Sequence, residues 1–444
     1  MRFPESTQAF ELPAELRAVR NLVSSEGGLI DAVRKVSSEG AEFAVYIATM
    51  GELEALHPNI RRTSKKPTGV EMAGGGGSPE PELAKAIATI EAVERYSSSV
   101  PNPNIVWASQ DDLGIGALDV ESMPQCSAEE LAHPKCLARK YDSSERIRWI
   151  DAWSFSDERP IAVPAVAVWL HLPAMTSSEL FALPISTGCA AHTNLSKAVV
   201  NGICEVVERD SISLTWLQML SLPPIEFDEG PPELFDALES AKLSGRAHFF
   251  FDATTDVGVP TIYCVDEDLS SATMRHVVMC ATDLDPARAV IKIVREIASS
   301  RIGLEQGQEV PTDVNDFHGV FHGAQYMGRP EMAGAFDFLL ASSTPRRQFS
   351  SISSFIGTPE DELSLLLDVL TATNCTVLAV DISTRESMAV GIKAVRVLIP
   401  ELMPLSFAYR TRFLGHPRLY SAPHAMGLRS LPESEINPNP QPFA

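Results

Sequence analysis

NGICEVVERDSISLTW, residues 201–216, sets two glutamates and an arginine inside a run that otherwise has the apolar content of a buried helix. On a wheel of about 100° per residue, Val199, Val200, Ile203, Cys204, Val206 and Val207 fill one broad arc. Asn201, Glu205 and Glu208 gather opposite, within roughly 60° of one another. A partial echo, IATIEAVERYSSS, stands at 87–99, so the pattern E-x-x-E-R occurs twice. There Glu91 and Glu94 share a face with Ile87 between them in projection. Two readings fit. Glu205 and Arg209 have the i, i+4 spacing of a surface ion pair worth a few tenths of a kcal/mol. Alternatively, two acidic helices converge, and their mutual repulsion calls for cations; Mg²⁺ characteristically joins a few carboxylates to substrate phosphates.

The 444 residues, 45% hydrophobic, suffice for one large core or two to three ordinary ones. A net charge of −22 argues against nucleic-acid binding, which needs clustered Lys and Arg. No apolar run has the length of a membrane span, and MRFPESTQAFEL lacks a charged leader with an apolar core, so a cytoplasmic location is expected. The seven cysteines show no C-x-x-C spacing and read as reduced core residues.

Alternating helical and strand signals predict an α/β (α+β mixed) architecture. Residues 1–60 read as an N-terminal α/β segment of the same globule, with a helix over 14–37 and a strand at EFAVYIATM. Residues 61–444 form the main domain, which begins with the basic stretch RRTSKKPT. The glycines 74–77 read as a mobile loop, because GGGGS lacks the lysine of a P-loop. A helix then runs from Pro79 or Pro81 to about Tyr96. Strands are expected at 164–172, 248–253, 261–267, 375–383 and 393–400. VPAVAVWL and VPTIYCV resemble each other and hint weakly at duplication. A third helix, in DLDPARAVIKIVREIASSRIGL (283–304), starts at Asp285 and Pro286 and carries Glu296 and Arg301. Arg301 suits a phosphate, or equally a helix C-terminus. His192 reads as a packed loop residue. The ending NPNPQPFA favours an extended, polyproline-like tail.

Together, residues 186–216, IEAVERY, the third helix, GHPRLYSAPHAMG (415–427) and the P-x-P-x-P ending resemble the YcaO-domain proteins. More narrowly, they resemble the stand-alone azoline-forming cyclodehydratase component of thiazole/oxazole-modified peptide synthetases. The resemblance implies ATP and Mg²⁺ between acidic helices. It also implies that a backbone amide oxygen is phosphorylated after a neighbouring Cys, Ser or Thr has attacked the carbonyl, so that loss of phosphate leaves an azoline ring. On this resemblance Glu91, Glu94, Glu205 and Glu208 are Mg²⁺ ligands, and Ser186, Asn201, Arg209, Glu296 and Arg301 are nucleotide-site residues. Pro438, Pro440, Pro442 and Ala444 form a catalytic tail.

Four positions depart from the family pattern: Ile87 replaces a serine, Thr187 an asparagine, and Asn201 and Ser299 glutamines. The glycine stretch also lacks its lysine near Gly77, for which Lys65, Lys66 or Lys85 are candidate substitutes. The implied partners are a ribosomally made precursor peptide, an E1-like leader-binding protein, an FMN-dependent azoline dehydrogenase, and a second copy in a homodimer. Backbone thioamidation or amidine formation, and a degenerate scaffold subunit, are the alternatives.

Overall fold

The structure, a computed structural model, describes residues 11–36, 44–63, 72–101, 104–305, 307 and 309–443. Three antiparallel sheets carry the fold. The first orders β1 (Ile30–Val36), β2 (Ala44–Met50) and β3 (Gly74–Ser78). The expected helix over 14–37 is therefore corrected: only Ala14–Leu22 is helical, as 3₁₀ turns, and Gly27 and Gly28 precede a strand.

The expected mobile loop at 74–77 is corrected too, because GGGGS is the edge strand of this sheet. It is paired through Tyr46↔Gly76 and lies beneath helix α1 (Pro81–Ser97). A Cβ on Gly74 would stand 2.2 Å from Ala88 O, and one on Gly76 2.2 Å from Ala84 O. Alternate glycines thus let the helix backbone rest directly on the strand. Low β-propensity is overridden by the close approach that only glycine permits.

The largest sheet has six strands. It runs β4 (Val106–Ala108), β5 (Ile147–Ser154), β11 (Leu378–Asp381), β12 (Lys393–Leu398), β7 (Cys189–His192), with β6 (Arg159–Pro164) paired to β5. The expected strand over 164–172 is corrected. Pro164 ends β6 on the sheet edge, where its missing N–H costs nothing, and Ala165–Ala167 form a buried 3₁₀ turn. The likeness of VPAVAVWL to VPTIYCV therefore reflects no repeat. The third sheet comprises β8 (Ala247–Asp252), β9 (Thr261–Glu267) and β10 (His276–Thr282), with β9 central.

Helix α2 (Leu195–Leu217), capped by Asn194, is about 35 Å long at 1.5 Å per residue and joins the six-stranded sheet to the third sheet. Its first half packs Val199, Ile203 and Val207 on Val395 and Val397, and its second half packs Ile212 and Trp216 among Phe251, Tyr263 and Val278. Helix α3 (Pro286–Glu305), capped by Asp285, covers the other face of the third sheet with Val290, Ile293 and Ile297. Helix α4 (Pro359–Ala372) supplies Glu362, which takes Lys197 at 2.5 Å and Arg288 at 3.0 Å and so ties α2 to α3. All seven cysteines are free thiols, five of them buried. Among the described residues no helix is long and apolar enough to cross a membrane.

Candidate functional site

The acidic residues of α1, α2 and α3 meet at the open edge of β3. Three of the carboxylates accept a backbone N–H from the end or edge of a strand or its turn. Glu91 accepts from Gly75 at 3.0 Å, Glu205 from Gly188 at 3.1 Å and Glu208 from Thr282 at 3.2 Å, while Glu94 is buried close to Glu205 and Glu91. Gly188 has φ +82°, a left-handed turn that presents its N–H to Glu205 and its carbonyl to Val397 N. A surface ion pair would have no such anchorage. The Glu205 and Arg209 side chains are each 22% exposed and Glu208 only 4%, so the E-x-x-E-R of α2 is not a solvated face.

Cations thread the cluster. Arg95 holds Glu91 at 2.7 Å, and Arg209 reaches Glu205 at 3.2 Å and Glu208 at 3.4 Å. Lys292 on α3 lies loosely between Glu208 at 3.5 Å and Glu296 at 3.9 Å. Five carboxylates thus face three cations, leaving two negative charges uncompensated. The excess falls on two groups. Desolvation, then Glu205 and Glu91, hold Glu94 well above the usual carboxylate range. Desolvation, opposed by Lys292 and reinforced by Glu208 and Glu91, raises Glu296.

Among the described residues no three carboxylate, imidazole or thiol groups stand at joint metal-binding distance. The donor set nevertheless suits a hard divalent cation, since every acidic group is a carboxylate and the unmatched charge is that of one Mg²⁺. The arginines and Lys292 hold the carboxylates that such an ion would gather.

The other expected site residues divide. Ser186 lies in the turn that leads to Gly188, and its carbonyl accepts from Cys189 N. Asn201 is exposed on α2, one turn before Glu205. Arg301 is placed elsewhere, which corrects the expectation for it. It is buried, pairs with Asp266 through Nε at 2.9 Å and through Nη2, and donates to Met274 O at 2.7 Å. Five residues beyond Glu296, it sits about 140° round the helix and faces the third sheet. Lys85 is held by Glu82 at 2.8 Å and lies over Tyr46. Lys65, Lys66 and Ala444 lie outside the described residues. His192 ends β7, where Nδ1 accepts from Asn194 N and burial lowers its pKa.

The tail is docked along α2. Asn437, 1% exposed, donates from its backbone N to Leu217 O at 2.9 Å and from Nδ2 to Trp216 O at 3.0 Å. It thereby satisfies the Leu217 carbonyl that the helix end leaves open and adds a second donor to Trp216 O, which Met219 N reaches at 3.4 Å. Trp216 Nε1 donates to Asn439 O at 3.2 Å, Tyr409 to Pro438 O at 2.7 Å and Arg412 to Asn437 O at 2.8 Å. Phe443 is buried against Tyr263. Three prolines in eight residues lower the entropy lost when this extended segment docks.

Residues 75–403 match the family model described as YcaO cyclodehydratase, ATP- and Mg²⁺-binding. The chain belongs to the YcaO family. An uncharacterized protein of Methanothermobacter thermautotrophicus is 29% identical over 238 residues, 52% of this chain and 57% of that protein. A Rhizobium leguminosarum bv. trifolii protein, named for its place in the tfuA 3′ region, is 24% identical over 241 residues, 50% and 53% of the two chains. The chain thus spans about half the length of the curated relatives it matches.

The mixed α/β YcaO fold recurs in solved structures. A heterocyclase in complex with substrate and cofactor has a TM-score of 0.80 at 21% identity over 97% of this chain and 57% of its own. The YcaO protein of Methanopyrus kandleri, bound with AMPPCP and Mg²⁺, has a TM-score of 0.62 at 18% identity, covering 87% and 90%. At these identities the likeness is one of fold. Within the acidic cluster, the sequence does not single out Lys292 or the backbone N–H of Gly75. For Lys292 a signal existed: it lies one turn before Glu296, about 40° away in projection.

Proposed function

We propose that this YcaO protein is an ATP-dependent peptide cyclodehydratase that converts Cys, Ser or Thr of a ribosomal precursor peptide into azolines. The observation that carries this reading is the excess of two carboxylates in a desolvated cluster built from three helices. When bound, MgATP supplies the phosphoryl group that turns an amide oxygen into a leaving group and the metal charge that the cluster lacks. Glu91, Glu94, Glu205 and Glu208 would hold the metal, with Glu296 beside them. Arg209 and Lys292 are the cations free to turn from carboxylate to phosphate. Ser186, in the turn before Gly188, and Asn201, one turn before Glu205, would position the nucleotide.

The side-chain thiol or hydroxyl adds to the preceding carbonyl carbon, and its proton leaves to a base. That addition closes the five-membered ring; the former carbonyl oxygen would take the γ-phosphoryl group of ATP, with release of ADP, and depart as phosphate, while the amide nitrogen loses its proton to leave the C=N bond of the azoline. Pro438, Pro440, Pro442 and Ala444 are proposed to line the peptide's side of the site, since the docked tail and the acidic ridge share α2. A separate leader-binding protein is proposed to deliver the peptide, an FMN-dependent dehydrogenase to oxidise the azoline, and a cytoplasmic homodimer to house the reaction. Incubation with the genomic neighbours, a precursor and MgATP should remove about 18 Da, one water, per ring. A gain in mass from sulfur for oxygen would instead identify thioamidation. ATP turnover absent under every combination would identify a scaffold.

A further inference from the structure

Strand β12 sends alternate side chains to opposite faces of the six-stranded sheet. Val395 and Val397 enter the core that α2 covers, and Ala394 enters the core that α1 covers. Arg396 takes the face of Ala394, only 6% exposed and in register with Cys189 of β7. A buried guanidinium ordinarily has a carboxylate to offset its desolvation. Among the described residues Arg396 forms no ion pair. Its Nη1 donates to Ile185 O at 2.6 Å and to Cys189 Sγ at 3.3 Å, and its Nε has no partner.

Those two contacts bracket the turn that carries Ser186. Ser186 O accepts from Cys189 N at 2.8 Å, Gly188 O accepts from Val397 N at 2.7 Å, and Gly188 N donates to Glu205 at 3.1 Å. The far side of the turn has no slack, since a Cβ on Gly188 would stand 2.2 Å from Val397 O and one on Gly202 of α2 3.0 Å from Gly188 O. The side that leads into Ser186 is held by Arg396 through Ile185 O. The charge also reaches the acidic cluster. Burial raises the Cys189 thiol, Arg396 draws it down, and Glu94 and Glu205 push it up. One thiol thus senses both the guanidinium and two carboxylates of the cluster, and Arg396 stands behind them tied to neither.

We infer that Arg396 is a positioning residue for the nucleotide: it aims Ser186 by holding the Ile185 carbonyl, and its untied charge favours an anionic Mg-nucleotide over bare Mg²⁺ in the cluster. This rests on the reading of the acidic cluster as the Mg-nucleotide site and adds a source of selectivity between the two ligands. A fixed cation near carboxylates lowers their affinity for a second cation and raises the affinity for phosphate. A side chain that only stabilised the fold would not act on the two ligands in opposite directions.

The test uses the full chain and isothermal titration calorimetry with two probes, Mg²⁺ alone and Mg²⁺ with the non-hydrolysable nucleotide AMPPCP. Arg396→Met should raise Kd for Mg-AMPPCP about tenfold, the equivalent of one hydrogen bond lost at Ser186, and lower Kd for Mg²⁺ alone by about twofold or more. Arg396→Gln is the milder variant, because its amide can still donate to Ile185 O while the charge is gone. It should show the same tightening of Mg²⁺ with a smaller loss of Mg-AMPPCP, and it carries the test if Arg396→Met does not fold. Both affinities falling together, or an affinity for Mg²⁺ that stays at the wild-type value, overturns the inference and leaves Arg396 as a packing residue. Wild type that binds neither probe overturns the nucleotide-site reading and the inference with it. Wild type that binds both, while the variants show no split, overturns only the role of Arg396.

Discussion

Glu205 and Trp216 stand eleven residues apart on one face of α2, about 20° apart in projection and about 16 Å apart along the axis. Glu205 holds the Gly188 turn at the acidic cluster, and Trp216 holds the Asn439 carbonyl of the tail. One helix, packed on a sheet at each end, therefore fixes the distance between the acidic cluster and the docked tail. Neither end can shift without carrying the other.

Substituting Glu205→Gln or Glu208→Gln should lower ATP turnover by at least about 100-fold, as loss of a preorganised charge contact does. Each glutamine keeps an oxygen for Gly188 N or Thr282 N, so circular dichroism and gel filtration should be unchanged. Normal turnover in a folded variant would return the ridge to a structural role.

The raised pKa of Glu94 has a sign that can be tested. In the folded, metal-free protein the group holds a proton that an unfolded chain, with the ordinary value of 4.5, has already released. The resulting cost is absent below about pH 4.5 and grows until the pH passes the folded value, so this group's contribution to stability falls as pH rises. Glu94→Gln should remove that slope and raise the melting temperature in EDTA at pH 7.5, yet abolish the rise that Mg²⁺ gives wild type. A variant with the wild-type pH profile would show that Glu94 is not the desolvated member.

Lys292 neutralises Glu208 and Glu296 from α3. Lys292→Met should leave both carboxylates without it, lowering the melting temperature in EDTA by a few degrees, the equivalent of about 1–2 kcal/mol. Added Mg²⁺ should then stabilise the variant more than it does wild type. An equal Mg²⁺ effect in both proteins would mean that Lys292 does not share the metal's carboxylates.

Much of this was legible before the fold was known, and the failures have physical reasons. The E-x-x-E-R pair and Glu296 were readable because helical periodicity puts them on defined faces. Arg301 was misplaced although its angle from Glu296 was computable, because a motif carries residue identity but not direction. GGGGS was unreadable as a strand, since what stabilises it is the backbone of α1, a tertiary contact without local signature. Strand β5, IRWIDAWS, was missed because its charged residues break the alternation, although Arg148 is buried and paired with Glu179 at 2.7 Å. The Gly75 N–H could not be seen at all, since any residue except proline carries one there.

Asn437 tests whether the tail takes part in the chemistry. Its backbone and side chain close the end of α2, and its carbonyl accepts from Arg412, so it is the hinge on which Pro438–Phe443 seat. Deleting the whole tail is a blunter probe, because Phe443 belongs to the core around Tyr263 and its loss alone would cost about 3 kcal/mol. Asn437→Ala removes the bond to Trp216 O, at a cost of about 0.5–1.5 kcal/mol because that carbonyl keeps its longer bond from Met219 N, while every proline and Phe443 remain. The cluster about 12 Å back along α2 at Glu208 is not touched. Affinity for a non-hydrolysable Mg-nucleotide should therefore stay within about twofold, while peptide dehydration falls by about 10-fold or more, a loss expected when reacting groups are misplaced by about an ångström. Limited proteolysis should show the tail cleaved faster than in wild type. A loosened tail with undiminished peptide processing would make residues 437–443 a packing element only, and the distance set by α2 between Glu205 and Trp216 would then have no catalytic meaning.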